Sequence, residues 1–191
     1  SVSTPFVRGA TARYMLLGVG LQSFSRLTDS EQAASGAMTK LNDTTLGGSS
    51  VTQDIHGDAD FALGRWVAGT VTRASGADTL TGNDNRAYHY VALNALAEMP
   101  AAGSPTCDAG VFTAPTYTGG GSGPQANSGT ASGSASLSFS DQGGTVGGVL
   151  NVSVGDATAS TSLDNITVAT PTSVSMKGAF LNGGSGAAVQ L

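Results

Sequence analysis

Apolar and polar residues alternate with a period of two in several separate stretches of the chain, whereas helical periodicity is almost absent. The clearest alternation runs over residues 132–140, where serines separate Ala135, Leu137 and Phe139. This pattern predicts a half-buried strand with one apolar and one hydroxyl face. Further strands are predicted at residues 11–24, 61–72, 88–93, 149–154, 158–163, 166–168, 173–180 and 187–191.

Clusters of Gly, Asn and Asp separate these stretches and predict tight turns. The predicted turns are Gly47-Gly48, Gly82 to Asn85, Gly143-Gly144, Gly147-Gly148, Asp164-Asn165 and Asn182 to Gly184. Many short strands joined by tight turns predict an all-β fold, a single antiparallel β-barrel or barrel-like sandwich of about eight to ten strands. One short helix is predicted at residues 31–34, because Thr28-Asp29-Ser30 offers an N-cap and Gly36 a stop.

The length of 191 residues predicts one domain over the whole chain. Residues 1–10 are expected to form an extended N-terminal segment, and the Gly/Ser-rich residues 116–133 a long mobile loop. One core is expected from the few large side chains, which are Phe61, Trp66, Tyr88, Tyr90, Leu137, Phe139 and Phe180.

The composition is dominated by small residues, since Gly, Ala, Ser and Thr (28, 27, 23 and 22 residues) make up 100 of the 191. The net charge of −5 argues against nucleic acid or an anionic membrane as a partner. The longest apolar run, residues 14–21, is too short to span a bilayer. Cys107 is the single cysteine, so an intrachain disulfide is excluded, and we expect a small buried side chain.

Several short motifs follow one another along the chain in an order that resembles a known family. These motifs are Gly64-Arg65-Trp66, Gly69-Thr70-Val71, Tyr88-His89-Tyr90-Val91, Met99-Pro100 with Gly103, Ala114-Pro115-Thr116, and Lys177 to Gly183. Their order resembles the C-terminal β-barrel domain of many proteobacterial FecR-domain proteins, and it is similar to the small barrels of transferrin-binding-protein-B-like surface lipoproteins. The resemblance implies a barrel that faces the exterior of the cell, and it carries over no catalytic residue.

An acidic segment offers a candidate metal site. Asp54, His56, Asp58 and Asp60 recur at every second position, so an extended strand would direct all four side chains to one side. Carboxylates suit hard cations, and an imidazole suits a transition metal. The alternative is an Asp-rich turn, because the full calcium-loop pattern is absent.

Tyr88-His89-Tyr90 offers a second candidate site. On a strand, His89 lies on the face opposite to the two tyrosines. An imidazole between aromatic side chains is a candidate haem ligand. The alternative is a strand with two buried tyrosines.

Arg65-Trp66 predicts a buried indole with the guanidinium on the other face, or else a cation–π contact site for a partner.

No catalytic constellation stands out, and we expect a protein that is not an enzyme and needs no cofactor. The composition favours an extracellular or cell-surface structural subunit, such as a fibre, surface-array or adhesive domain that assembles with itself. The apolar residues Val2, Phe6 and Val7 are expected to pair with the open sheet edge of a neighbouring copy. The alternative function, which follows from the resemblance, is a surface barrel that binds iron, haem or an iron-carrying protein.

Overall fold

The computed structural model describes residues 1–18, 20–83, 85–116, 129–154, 157–168, 180–182 and 188–190. Within these ranges the fold is all-β, with 62% of the chain in strands and no helix. The chain divides into two compact units, residues 1–94 with 116–127 and residues 95–115 with 128–191. The all-β prediction is confirmed, and the prediction of a single domain stays a prediction.

The first unit contains one antiparallel sheet that curls into a half-barrel. Its strands are β1 (Ala12–Gly18), β2 (Leu21–Arg26), β3 (Ser30–Gln32), β4 (Met38–Leu41), β5 (Thr44–Gly57), β6 (Phe61–Arg73), β7 (Gly76–Thr81) and β8 (Tyr88–Asn94). The spatial order is β2-β1-β8-β6-β5-β4-β3, and β7 also pairs with β6. The long β6 therefore pairs with β5 on one side, and with β8 and then β7 on the other.

The second unit contains a three-stranded antiparallel sheet, here called the serine-rich sheet, and a short strand pair. The strands of the serine-rich sheet are β9 (Thr130–Ser140), β10 (Gly143–Val154) and β11 (Ala157–Val168), with β10 in the centre. The strand pair joins β12 (Phe180–Asn182) to β13 (Ala188–Gln190).

Trp66 is the centre of the core of the first unit, with a fully buried indole. Its Nε1 donates to the carbonyl of Met38 over 2.8 Å, and its ring lies 5.8 Å from the ring of Tyr90 and 6.4 Å from that of Tyr88. The Met38 N–H in turn donates to the Tyr90 hydroxyl over 3.0 Å. The polar atoms of these buried aromatic side chains are thus hydrogen-bonded, as burial requires.

Two glycines make room for the tyrosines of β8. Gly64 is the cross-strand partner of Tyr90, and a Cβ atom there would lie 2.4 Å from the Tyr90 hydroxyl oxygen. A Cβ atom at Gly18 of β1 would lie 2.1 Å from the ring of Tyr88. The tyrosine side chains therefore lie directly against glycine positions on the two neighbouring strands, β6 and β1.

Several predictions about local structure are wrong. Residues 30–32 form β3, because they pair with β4 where a helix was expected. Gly47-Gly48 lies within β5, although the register of β5 against β6 shifts after Gly47. The two glycine pairs at residues 143–148 lie within β10, which pairs with β9 without interruption through them. β11 continues through Asp164-Asn165, with a register irregularity against β10.

The predicted core and loop also need correction. Among the described residues, the buried cluster contains Trp66, Tyr88 and Tyr90, but Phe61, Leu137 and Phe139 are only half-buried. Thr130 to Gly133, expected in the loop, belong to β9, while residues 117–128 lie outside the described residues. Most of the predicted strand at residues 173–180 also lies outside them.

Replacing Gly64 with Ala is expected to destabilise the fold by about 1–3 kcal/mol, because the new methyl group overlaps Tyr90, whose hydroxyl is fixed by Met38. Urea unfolding measures the loss. The matched control is Gly47→Ala in β5, where a Cβ atom meets nothing within 4 Å. The control should change stability by less than about 0.5 kcal/mol; an equal effect of both substitutions would contradict the packing argument.

Candidate functional site

The serine-rich sheet has one hydroxyl face and one apolar face. Along β9 every even-numbered residue from Thr130 to Ser140 is Ser or Thr and is exposed, as the sequence pattern predicted for residues 132–140. The hydroxyls continue across the sheet through Asn151 of β10, where the Ser160 hydroxyl of β11 donates to the Asn151 side chain over 2.7 Å. A shallow cavity of about 160 Å³ lies on this face. It is lined by Thr130, Ser132, Asn151, Val152, Ser153, Thr158 and Ser160.

The outer edge of β9 is the candidate functional site. The Phe139 N–H points away from β10, because it donates to the carbonyl of Gly103 over 2.7 Å. In an antiparallel pair the direction of the backbone groups alternates along a strand, so other odd-numbered residues of β9 also direct their N–H and C=O groups outward. These residues are Ala131, Gly133, Ala135 and Leu137. Within the described ranges, β10 is the one strand that pairs with β9.

A cluster of polar side chains lies on β5 and β6, on the face of the sheet opposite to Trp66. The Arg65 side chain is only 2% exposed, and its Nε donates to Asp54 Oδ2 over 2.9 Å. Its second contact runs from Nη2 to Gln53 Oε1, also over 2.9 Å. A β-bulge brings both acceptors to the arginine: the register shifts after Gln53, and Asp54 has a left-handed φ of 55°.

His89 is the cross-strand partner of Arg65 and lies beside it. Its Nε2 is 2.9 Å from the Thr116 hydroxyl oxygen. Burial, and then the positive charge of Arg65, lower the pKa of His89 from 6.5 to about 4, although Asp54 acts in the opposite direction. The imidazole is therefore neutral at physiological pH, and it lies beside the ion pair of Arg65 with Asp54.

The structure separates the members of the predicted haem site. Tyr88 and Tyr90 are buried against Trp66 in the core, and burial raises the pKa of each to about 12. Alternation along β8 places His89 on the other face, as expected from the sequence. The three side chains do not surround a common space, so the haem hypothesis gains no support from their placement.

The acidic segment covers the end of β5 and the short connection that follows it, and its side chains have separate contacts. Asp58 accepts hydrogen bonds from the backbone N–H groups of Asp60 and Phe61, at 2.8 and 3.2 Å. His56 contacts the N-terminal amine of Ser1, and Asp54 is the partner of Arg65. Across the described ranges, no three His, Cys, Asp or Glu side chains are grouped as a metal site requires. Asp58 and Asp60 lie in the connection between β5 and β6, whereas Asp54 and His56 lie on β5 itself.

The N-terminal segment is attached to its own chain. Val2 forms a parallel bridge with Gly57, and its side chain lies against Gly36. Phe6 packs against the core, whereas Val7 is 64% exposed. Asn94 holds the end of the segment: its Oδ1 accepts from Gly9 N–H, and its Nδ2 donates to the Val7 carbonyl.

One prediction from the sequence is wrong, and one structural feature was not predicted. Cys107 is exposed and therefore not the small buried side chain that we predicted, because it lies in an extended segment outside any strand. The β-bulge at Asp54 was not anticipated, since no sequence signal distinguishes it from ordinary strand. No helix in the described part of the chain has the length and apolar character needed to cross a membrane.

Comparison with known proteins adds no identification: neither a family model nor a curated protein nor a solved structure matches the chain. The resemblance to FecR-domain and transferrin-binding-protein-B-like barrels therefore stays a prediction.

The fold should lose stability as the pH falls from 6.5 towards 4, because the unfolded chain binds a proton at His89 in this window and the folded chain does not. From pH 7 to pH 4.5 the expected loss due to His89 is about 2–3 kcal/mol. Urea unfolding at the two pH values measures it. His89→Gln keeps a hydrogen-bonding group for Thr116, and it should not show the part of the stability loss that is due to His89.

His56→Gln is the matched control, since it removes the other histidine and leaves the pairing of His89 with Arg65 intact. It should retain the loss that His89 causes. Equal pH dependence in the wild type and in His89→Gln would show that the imidazole is accessible to protons in the folded state.

Proposed function

We propose that this protein is a non-enzymatic structural or assembly subunit of the cell exterior, of the fibre, surface-array or adhesive type, and that copies join by strand addition at the outer edge of β9. The observation that carries the proposal is the row of outward backbone groups along this edge, between Ala131 and Leu137. Such a row is a template for pairing with another strand.

The chemistry of β9 favours strand addition. Sheet edges are normally protected by short strands, charged side chains or proline. β9 has eleven residues, and none is charged or proline. The edge strands of the first sheet differ: β3 has only three residues and contains Glu31, while β2 ends at Arg26. By strand length and side-chain charge, β9 is thus less protected than β2 and β3.

The small exposed side chains of β9 add to this argument. The hydroxyls from Thr130 to Ser140 impose no charge repulsion on an incoming strand, and they are able to hydrogen-bond across a new strand pair. The low content of Lys and Glu, two residues each, agrees with the exterior location expected from the composition.

The choice of donor strand is constrained by the N-terminal segment. We expected Val2, Phe6 and Val7 to insert into a neighbouring sheet. For this they must first leave Gly57, Gln32 and Asn94 of their own chain. The acceptor edge on β9 therefore provides the stronger support for assembly, and the N-terminal donor role stays a separate hypothesis.

Ala135→Pro tests the proposal, because it removes an outward N–H of β9 without removing a hydrogen bond to β10. We expect the wild type to form oligomers that grow with protein concentration, and the variant to assemble about tenfold more weakly or not at all. Sedimentation velocity and negative-stain microscopy measure assembly, while circular dichroism verifies the sheet content.

Ala135→Val is the matched control, since it keeps the N–H group and suits a strand. It should assemble like the wild type. A wild-type chain that stays monomeric at every concentration would reject the proposed function, and undiminished assembly of a folded Ala135→Pro variant would reject β9 as the site.

A further inference from the structure

Residues 103–115, here called the edge segment, run antiparallel along the outer side of β9. Gly103 forms a bridge with Phe139 near the end of the strand. Further along, a Cβ atom at Gly110 would lie 3.5 Å from the Gly133 carbonyl oxygen. Close to the start of β9, a Cβ atom at Gly129 would lie 2.5 Å from the ring of Pro115. The edge segment therefore follows the whole length of the candidate site.

The part of the edge segment from Gly103 to Phe112 is held more loosely than a paired strand. Among the described backbone groups of this part, one hydrogen bond joins it to β9, from Phe139 N–H to the Gly103 carbonyl over 2.7 Å, whereas Thr113 and Ala114 make further contacts. Its residues from Ser104 to Val111 are exposed, and no part of it is assigned to a strand. Segments with few contacts and exposed backbone open at low cost.

The segment chemistry nevertheless suits a fourth strand of the serine-rich sheet. Continuing the pairing of Gly103 with Phe139 places Cys107 opposite Ala135 and Val111 opposite Ala131. The contact between Gly110 and Gly133 agrees with this register to within one residue. Val111 is exposed in the structure, and pairing in this register would bring it beside the apolar side of β9.

We propose that the edge segment is a removable strand that closes onto β9 of its own chain and thereby controls access to the assembly site; this regulatory role rests on the proposed function. When the segment pairs with Ala131 to Leu137, the outward backbone groups of β9 are occupied and a neighbouring copy cannot add a strand. When it leaves, the edge becomes an acceptor. Contacts at both ends of the segment with its own β9 favour closure within one chain over exchange between chains.

The single native cysteine allows a direct test. In the closed state Cys107 faces residue 135 as a directly opposed pair, with a Cα separation of about 5.5 Å, which a disulfide tolerates. Oxidation of the full-length Ala135→Cys variant at low protein concentration should give an intrachain disulfide. The product is a monomer on a non-reducing gel, with a mass lower by two hydrogens. The oxidised protein should lose assembly by at least tenfold, and reduction should restore it.

Ser134→Cys is the matched control, because residue 134 lies on the hydroxyl face and directs its side chain away from that of Ala135. It should form no intrachain disulfide. Circular dichroism of the reduced variants verifies that both keep the wild-type sheet content.

The possible outcomes separate the two proposals. Failure of folded Ala135→Cys to form the intrachain disulfide overturns closure, and normal assembly of the reduced protein would leave the proposed function standing. An intrachain disulfide that leaves assembly undiminished would overturn the proposal that the edge segment controls access to the outer edge of β9. If the parent chain never assembles, the proposed function fails and access control fails with it, while the disulfide still reports whether the segment closes on β9.

Discussion

The hydrogen bond from the Trp66 indole to the Met38 carbonyl is the contact on which the rest of the first sheet depends. Trp66 lies on β6 and Met38 on β4, while the Met38 N–H binds Tyr90 of β8. Three strands are therefore joined by polar contacts inside an apolar core. Removing one partner would leave a buried polar group unsatisfied, which costs more than the hydrogen bond itself contributes.

The same tryptophan determines what lies on the two faces of the sheet. Because side chains alternate along a strand, burial of Trp66 places Arg65 on the opposite face, where Asp54 neutralises its charge. On the core face the large rings require small partners, and Gly18 and Gly64 supply them. The abundance of small residues is thus in part a steric requirement of a core built from few, large aromatic side chains.

Sequence alternation predicts β8 and β9 and their faces, because each has one consistently apolar side. It predicts β6 as a strand but not its faces, because burial changes from the even to the odd positions after Trp66. It cannot predict β5, which is mostly polar and becomes a strand through pairing with β6 along most of its length. The short β3 is missed for the same reason, since its conformation follows from pairing with β4. The hydroxyl face of the candidate site can be predicted from the serines of β9. Whether the outer edge of β9 is covered depends on residues 103–115, which alternation along β9 does not reveal.

The two sheets differ in how they are stabilised, and this difference explains why the serine-rich sheet has the most to gain from another strand. The first sheet buries Trp66, Tyr88 and Tyr90 against one another. The second has Phe139 as its largest described side chain on β9, and that ring is only half-buried. None of the residues of β9 is fully buried, so this strand depends on its backbone hydrogen bonds, and three strands are close to the minimum for independent stability. Each outward group that gains a partner, from the edge segment or from another chain, therefore adds a larger share of the stability of this sheet than it would of the first.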